Sequence, residues 1–170
     1  KMASEAPPAV ATAAPLLAHD GVTLRPMDVE RDYVALREIF GSAACMRYTG
    51  RAPMASPVDT RALLAGWSAD AESPQWVVTV PSGRSGDDEA LHHALPALGR
   101  VPLVARRKGV VEVGVQTVPR LQVRGQSRRV VTVVTRHALG PLGLRRVYAD
   151  IDPDNAACVC MLERCGFRME

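Results

Sequence analysis

A β-branched run, Val110 to Val118, passes through Pro119 into the loop Gln122-Val123-Arg124-Gly125-Gln126-Ser127, and a helix opens at Ser127. This strand–loop–helix passage constrains the fold more than any other stretch of the chain. The first turn of a helix carries unpaired N–H groups and the positive end of the helix dipole. A phosphate placed there accepts several of those donors. Gly125 also suits a plain turn, and a short glycine motif leaves both readings open.

The rest of the chain supplies strands and helices around this passage. Residues 1–18 are rich in Ala and Pro and have no usable period, which predicts a mobile tail before a single domain over 19–170. Val22-Thr23-Leu24-Arg25 reads as a strand closed by Pro26. Asp28 is an N-cap for a helix through Phe40, with Val29, Tyr33, Leu36 and Phe40 at helical spacing. Ser56-Pro57 starts a second helix that runs to Trp67. Trp76 to Val80 is a strand, residues 81–100 form a long charged loop, and Val101 to Val104 is the next strand. After the 110–118 strand comes the helix Ser127 to Leu139, with Val130, Val131, Val134 and Ala138 inward. A strand follows at Val147 to Ile151, then a helix from Asn155 to Cys165, and Phe167 begins another strand. The late β-α-β-α run predicts a layered α/β (α+β) domain.

Composition excludes several function classes. Net charge is +3 from 21 basic and 18 acidic residues, and the densest basic stretch is local: Arg120, Arg124, Arg128 and Arg129. That cluster suits a small polyanion better than a DNA backbone, so no nucleic-acid partner is expected. A nucleic-acid binder remains the third reading; it rests on this cluster alone and predicts strongly salt-dependent binding. No run of eighteen apolar residues exists, which predicts no membrane helix. The N-terminus lacks a secretory pattern. The four cysteines do not form a secreted disulfide framework, which points to a cytoplasmic location. Cys158-x-Cys160 followed by Cys165 lacks the paired spacing of a zinc site, and His92-His93 read as solvated, so no metal is expected.

From Glu112 to Phe167 the sequence resembles the GNAT superfamily of acetyltransferases, and within it the branch that acetylates ribosomal-protein N-termini. Gln122-x-x-Gly125-x-Ser127 is similar to that superfamily's acyl-CoA loop, with Pro119 three residues before it. Gly143-Leu144-Arg145-Arg146-Val147 resembles its helix-to-strand turn. Asp152-Pro153-Asp154-Asn155-Ala156-Ala157 followed by Leu162-Glu163-Arg164-Cys165-Gly166-Phe167 resembles its closing signature. Leu24-Arg25-Pro26 with Asp32 downstream resembles the branch's first strand and helix. The resemblance implies a mixed central sheet flanked by helices, with two parallel strands that splay apart to admit acetyl-CoA as cosubstrate. It implies pantetheine along Val113 to Val118 and pyrophosphate at the loop, so that Thr117, Val118, Gln122, Val123, Arg124, Gly125, Gln126, Ser127 and Arg128 bind the cosubstrate.

Acyl transfer to an amine needs a neutral amine, and amines have reference pKa values of about 8 to 10.4. A carboxylate acting through water serves as base. Glu112, two residues before Gly114, is the candidate; an exposed strand glutamate is the alternative. A main-chain N–H near Thr117 or Val118 is placed to face the developing oxyanion. Relatives carry a tyrosine acid seven residues after the signature asparagine; here that position is Leu162. Cys158 stands where the ribosomal-type branch has a serine, which makes its thiol the candidate acid. Yet Cys158, Met161, Leu162 and Cys165 also share one helical stripe, as core residues do. Asn155 caps its helix or binds the pantetheine arm.

Val123, Ser127, Leu162 and the absence of residues beyond Glu170 depart from the family pattern. They keep open a second function, a non-catalytic acyl-CoA-binding or protein-interaction module. The C-terminal strands of the family are missing, which predicts an open edge at Val147 to Ile151. Such an edge leads to a homodimer or to low solubility, unless the 1–18 tail or the 81–100 loop covers it.

Overall fold

The computed structural model describes residues 16–19, 21–70, 73–79, 99–118 and 125–170. Its strands are β1 (Leu17–His19), β2 (Val22–Pro26), β3 (Gln75–Thr79), β4 (Gly99–Arg107), β5 (Val110–Val113), β6 (Gln116–Thr117) and β7 (Arg146–Tyr148). They join in one sheet of order β1-β2-β3-β4-β5-β7, with β6 also on β4. Every described pairing is antiparallel except β5 with β7.

The helices are α1 (Val29–Phe40), α2 (Ala43–Met46), α3 (Pro57–Ser68), α4 (Gln126–Leu139) and α5 (Ala156–Glu163). Side-chain alternation along the strands divides the core between two faces of the sheet. Val22, Leu24, Trp76, Val78, Val111 and Val113 meet Val130, Val133, Val134 and Ala138 of α4 on one face. Val77 and Val118 meet Leu36, Ile39, Phe40, Met46 and Leu64 of α1, α2 and α3 on the other. Two helical layers thus enclose the sheet, as the β-α-β-α pattern predicts. Helix α5 packs on α4: the Cys165 thiol donates to the Arg128 carbonyl at 3.6 Å and lies 3.8 Å from the Thr132 hydroxyl.

Caps read from the sequence are formed. Asp28 accepts from the Arg31 N–H at 3.2 Å, and Ser56 accepts from the Asp59 N–H at 3.3 Å. The β2–α1 junction carries a buried ion pair. Arg25 Nη1 donates to Asp32 Oδ2 at 2.8 Å, and Nη2 donates to Oδ1. Asp32 Oδ2 also accepts from the Asp28 N–H at 2.9 Å. Both side chains are 1% exposed or less, so the pair ties the sheet to the first helix from inside.

Several expectations are corrected. Leu17 and Ala18, expected in the tail, belong to β1, because Leu17 packs on the α4-side core and pairs with Leu24. Residues 99–100, expected in the loop, extend β4 against Val77 and Val78; the remainder of that loop, residues 81–98, lies outside the described residues. The expected 110–118 strand is divided into β5 and β6. The expected 147–151 strand is the shorter β7, and Phe167 starts no strand: its N–H bonds to the Leu162 carbonyl at 3.1 Å, and its ring packs on the core. Among the described residues β7 therefore pairs with β5 alone. A groove of about 730 Å³ runs along its outer side, lined by Leu139, Val147, Ile151, Val159, Leu162 and Phe167. The described part of the tail, at β1, sits on the opposite edge of the sheet and does not cover it.

Removing one partner of a buried ion pair leaves an uncompensated buried charge. Asp32→Ala should therefore cost about 3–5 kcal/mol of unfolding free energy in urea titration. Arg25→Met combined with Asp32→Leu, which removes both charges, should recover most of that loss. Equal destabilisation of the single and double variants would show that the charges themselves matter little.

Candidate functional site

Strands β5 and β7 run parallel for three positions only, Val110 with Arg146, Val111 with Val147 and Glu112 with Tyr148. They then part. The chain after β5 stays with β4: Gly114 N–H donates to the Pro102 carbonyl at 3.3 Å, and β6 resumes the register that β5 left. A Cβ on Gly114 would sit 3.0 Å from Pro102 Cγ, a tight contact that glycine avoids. The chain after β7 turns away. Asp152 Oδ1 accepts from the Asp154 N–H, and the Asp152 carbonyl accepts from the Asn155 N–H, each at 2.9 Å. That turn leads into α5. The splay expected of the sheet thus opens directly after Glu112 and Tyr148.

Glu112 alternates with Val111 and Val113, which point into the α4-side core. It is half-buried on the other face, the one that α1, α2 and α3 cover. The Tyr148 hydroxyl donates to Glu112 Oε2 at 3.4 Å. Thr117 is buried, and its carbonyl lies 3.9 Å from the Cys45 thiol of α2. Val118 is fully buried among Leu36, Phe40 and Leu64, so only its main chain is available to a ligand.

On the opposite face α4 begins at Gly125, whose φ of 74° lies in the left-handed region. Gly125 caps α4 without a side-chain hydrogen bond, and among the described residues a Cβ there would meet nothing within 4 Å. The first turn contains no acidic residue. Gln126 and Ser127 are half-buried, and Arg128 is exposed. Gln126 Oε1 is buried without a hydrogen-bond partner among the described residues. Arg129 Nη1 is directed at the turn between β1 and β2, 3.6 Å from where a Cβ on Gly21 would lie. The predicted loop residues Gln122, Val123 and Arg124 lie outside the described residues. An open, acid-free helix N-terminus of this kind fits an anionic group.

Asn155 caps α5, its Oδ1 accepting from the Cys158 N–H at 3.2 Å. Cys158 is half-buried, and burial pushes its thiol above the usual cysteine range. At neutral pH it is a protonated S–H, a weak donor. Of the stripe Cys158, Met161, Leu162 and Cys165, only Leu162 is buried; the others are half-exposed. Two site neighbours escaped the sequence reading. Cys45 sits on the short α2, and Tyr148 sits in a strand whose register with β5 no local pattern reveals. Among the described residues, no group of three or more His, Cys, Asp and Glu is placed to hold a metal ion. No described helix is long and apolar enough to cross a membrane.

Comparison with known proteins adds the following. The family model described as "Acetyltransferase (GNAT) domain" matches residues 22–168. A probable GNAT-family acetyltransferase from Chromobacterium violaceum ATCC 12472 superposes with a TM-score of 0.76 at 24% identity, covering 100% of this chain and 85% of that one. A GNAT-family acetyltransferase from Bacillus anthracis superposes with a TM-score of 0.77 at 15% identity, covering 92% and 85%. A spermidine N-acetyltransferase from Vibrio cholerae, solved in complex with CoA and spermine, gives a TM-score of 0.73 at 20% identity, covering 88% and 82%. No curated protein sequence matches. At these identities the structural likeness is one of fold.

The thiol environments can be checked chemically. A raised pKa lowers the thiolate fraction, and the thiolate is the nucleophile. Exposed Cys160 should be alkylated by iodoacetamide first at neutral pH. Cys158 should lag, with a rate that climbs as pH rises above the ordinary thiol range of about 8.5. Peptide mass spectrometry that found Cys158 as reactive as Cys160 at neutral pH would contradict its burial.

Proposed function

Because the chain belongs to the GNAT acetyltransferase family, we propose that it transfers an acetyl group from acetyl-CoA to a primary amine. The observation that carries this reading is the parting of β5 and β7 beyond Glu112 and Tyr148. The parting opens the sheet between a carboxylate on one face and the N-terminus of α4 on the other. Acetyl-CoA supplies an acyl thioester. The first-turn N–H groups of Gln126, Ser127 and Arg128, the Arg128 guanidinium and the loop residues Gln122, Val123, Arg124 and Gly125 hold its pyrophosphate. The main chain at Thr117 and Val118 lines the pantetheine path and offers an N–H to the oxyanion, and Asn155 borders the same path.

Glu112 takes the proton of the incoming ammonium, directly or through one water, so that a neutral amine attacks. Cys158, kept protonated by burial, donates to the departing CoA sulfur. Its counterpart role is modest, because a thiolate leaves readily near neutral pH and a thiol is a weak donor.

The acceptor is a protein N-terminus, a lysine or a small amine. Resemblance to the ribosomal-protein branch supports the first, and the spermidine N-acetyltransferase among the structural relatives supports a polyamine as well. The second reading, a non-catalytic acyl-CoA-binding or interaction module, is favoured by the buried Leu162 at the family's tyrosine position. Among the described residues the cysteines form no disulfide, which supports a reducing, cytoplasmic setting. Among the described residues the outer edge of β7 has no strand partner, which supports a homodimer that extends the sheet. Light scattering that showed a monomer at every accessible concentration would remove the dimer.

Acetyl-CoA at a hundred times its dissociation constant should stabilise the chain by about 2.7 kcal/mol in a thermal-shift assay. Gly125→Glu should remove that shift by setting negative charge beside the pyrophosphate. The variant should still fold, because its Cβ enters open space and only the left-handed backbone costs about 1–2 kcal/mol. Turnover is read by CoA thiol release with a panel of an N-terminal peptide, a lysine peptide and spermidine. Glu112→Gln should lower kcat about 10²- to 10⁴-fold at neutral pH while the thermal shift persists. A shift without thiol release from any amine would establish the binding module instead.

A further inference from the structure

We propose that Tyr148 is a positioning residue for Glu112: its phenol hydroxyl holds the carboxylate in the conformation that meets the amine. The inference rests on the reading of Glu112 as the base. Tyr148 and Glu112 are the last pair in the parallel register of β5 and β7. Paired residues in neighbouring strands direct their side chains to the same face. Both are half-buried, and the hydroxyl reaches Glu112 Oε2 at 3.4 Å. This is a long hydrogen bond, of the kind that tightens when substrate closes a site. It engages one carboxylate oxygen, and a carboxylate has about four lone-pair sites, so a base so held keeps capacity for a proton.

The surroundings show why a hydroxyl matters at this position. Across from Glu112 on β4 stands apolar Val104. At the same alternation Tyr148 follows Arg146 of β7, which is engaged with Glu170, and precedes exposed Asp150 of the segment after β7. Beyond the pair the strands separate. The Tyr148 hydroxyl places its donor at Glu112, at the last paired position before the splay. A phenylalanine would fill the same space, and the β5–β7 ladder is a main-chain feature that needs no hydroxyl. The hydroxyl therefore has a consequence for Glu112 that packing does not account for.

The test is a double-mutant cycle on the full chain, with kcat and KM read by CoA thiol release and melting temperature followed alongside. Tyr148→Phe should lower kcat about tenfold or more, since misplacing a catalytic group by an ångström costs up to about a hundredfold. The acetyl-CoA KM should stay within about twofold, and the melting temperature should hold. In the Glu112→Gln background the same substitution should change kcat by less than about twofold, because coupled residues are not additive. Equal kcat for Tyr148→Phe and the parent chain would overturn the proposal. So would full additivity in the cycle, which would mean that Tyr148 acts independently of Glu112. An active parent that is insensitive to Glu112→Gln overturns the base assignment and this proposal together. A parent chain that acetylates no amine overturns the enzymatic reading itself, a result distinct from either failure within an active enzyme.

Discussion

The three-residue parallel pairing of β5 with β7 is the constraint on which the rest of the site depends. Parallel strands ordinarily continue side by side for their full length, because each lost pairing exposes backbone donors and acceptors. Here one strand is held and the other is led away. The segment from Val113 through Thr117 remains in the register of β4, kept close by Gly114 against Pro102. The segment after Tyr148 is drawn off by the Asp152 turn and by the Asn155 cap of α5. Neither cause alone would open the sheet. Together they leave main-chain groups beyond Glu112 and Tyr148 without the neighbour they have three residues earlier. Cleft, carboxylate and helix N-terminus follow from that one divergence.

Much of this was legible in residues whose physics is local. The Asp28 and Ser56 caps, the αL glycine at 125 and the valine stripe of α4 follow from the side chain and its immediate neighbours. Arg25 and Asp32 were legible as a resemblance, and the structure supplies their reason: a buried bidentate pair that fastens α1 to β2. What stayed hidden depends on distant partners. Leu17 and Ala18 look like tail because what orders them, pairing with β2 and the packing of Leu17 on the α4-side core, lies elsewhere in the chain. Residues 99–100 look like loop because Val77 and Val78 recruit them. The 110–118 run looks like one strand and does keep one register on β4; the proline opposite Gly114, Pro102, has no N–H to complete the ladder there. Phe167 looks like the start of a strand, yet with no described ladder partner it packs its ring on the core instead.

The candidate site divides in the same way. Glu112, Gly125 and Asn155 stand out in the sequence because motif spacing marks them. Tyr148 was not, because a tyrosine in a short strand has no signature of its own. Its significance appears only when the parallel register sets it beside Glu112. The Cys158 stripe shows the opposite error. Helical spacing predicts four core residues, but α5 covers only Leu162 fully, so the thiol lies half-exposed where a purely structural cysteine would be enclosed.

The two faces of the sheet also separate the two halves of the chemistry. The α4 N-terminus and α5 lie on the side of Val111 and Val113, and Glu112 lies on the side of α1, α2 and α3. In the proposed reaction the anionic group and the acceptor would approach from opposite sides and meet where the strands have parted. Donor recognition, as proposed, would rest on backbone N–H groups and one glycine, features that tolerate little variation. The acceptor side is built of helix surface and the segment between α2 and α3, where side chains change without disturbing a ladder. Its attachment to the sheet is secured separately, by the Arg25–Asp32 pair and by the packing of Leu36, Phe40 and Leu64. A fold arranged this way can exchange one amine for another by altering the outer surface of α1 to α3, while the opening between β5 and β7 stays as it is.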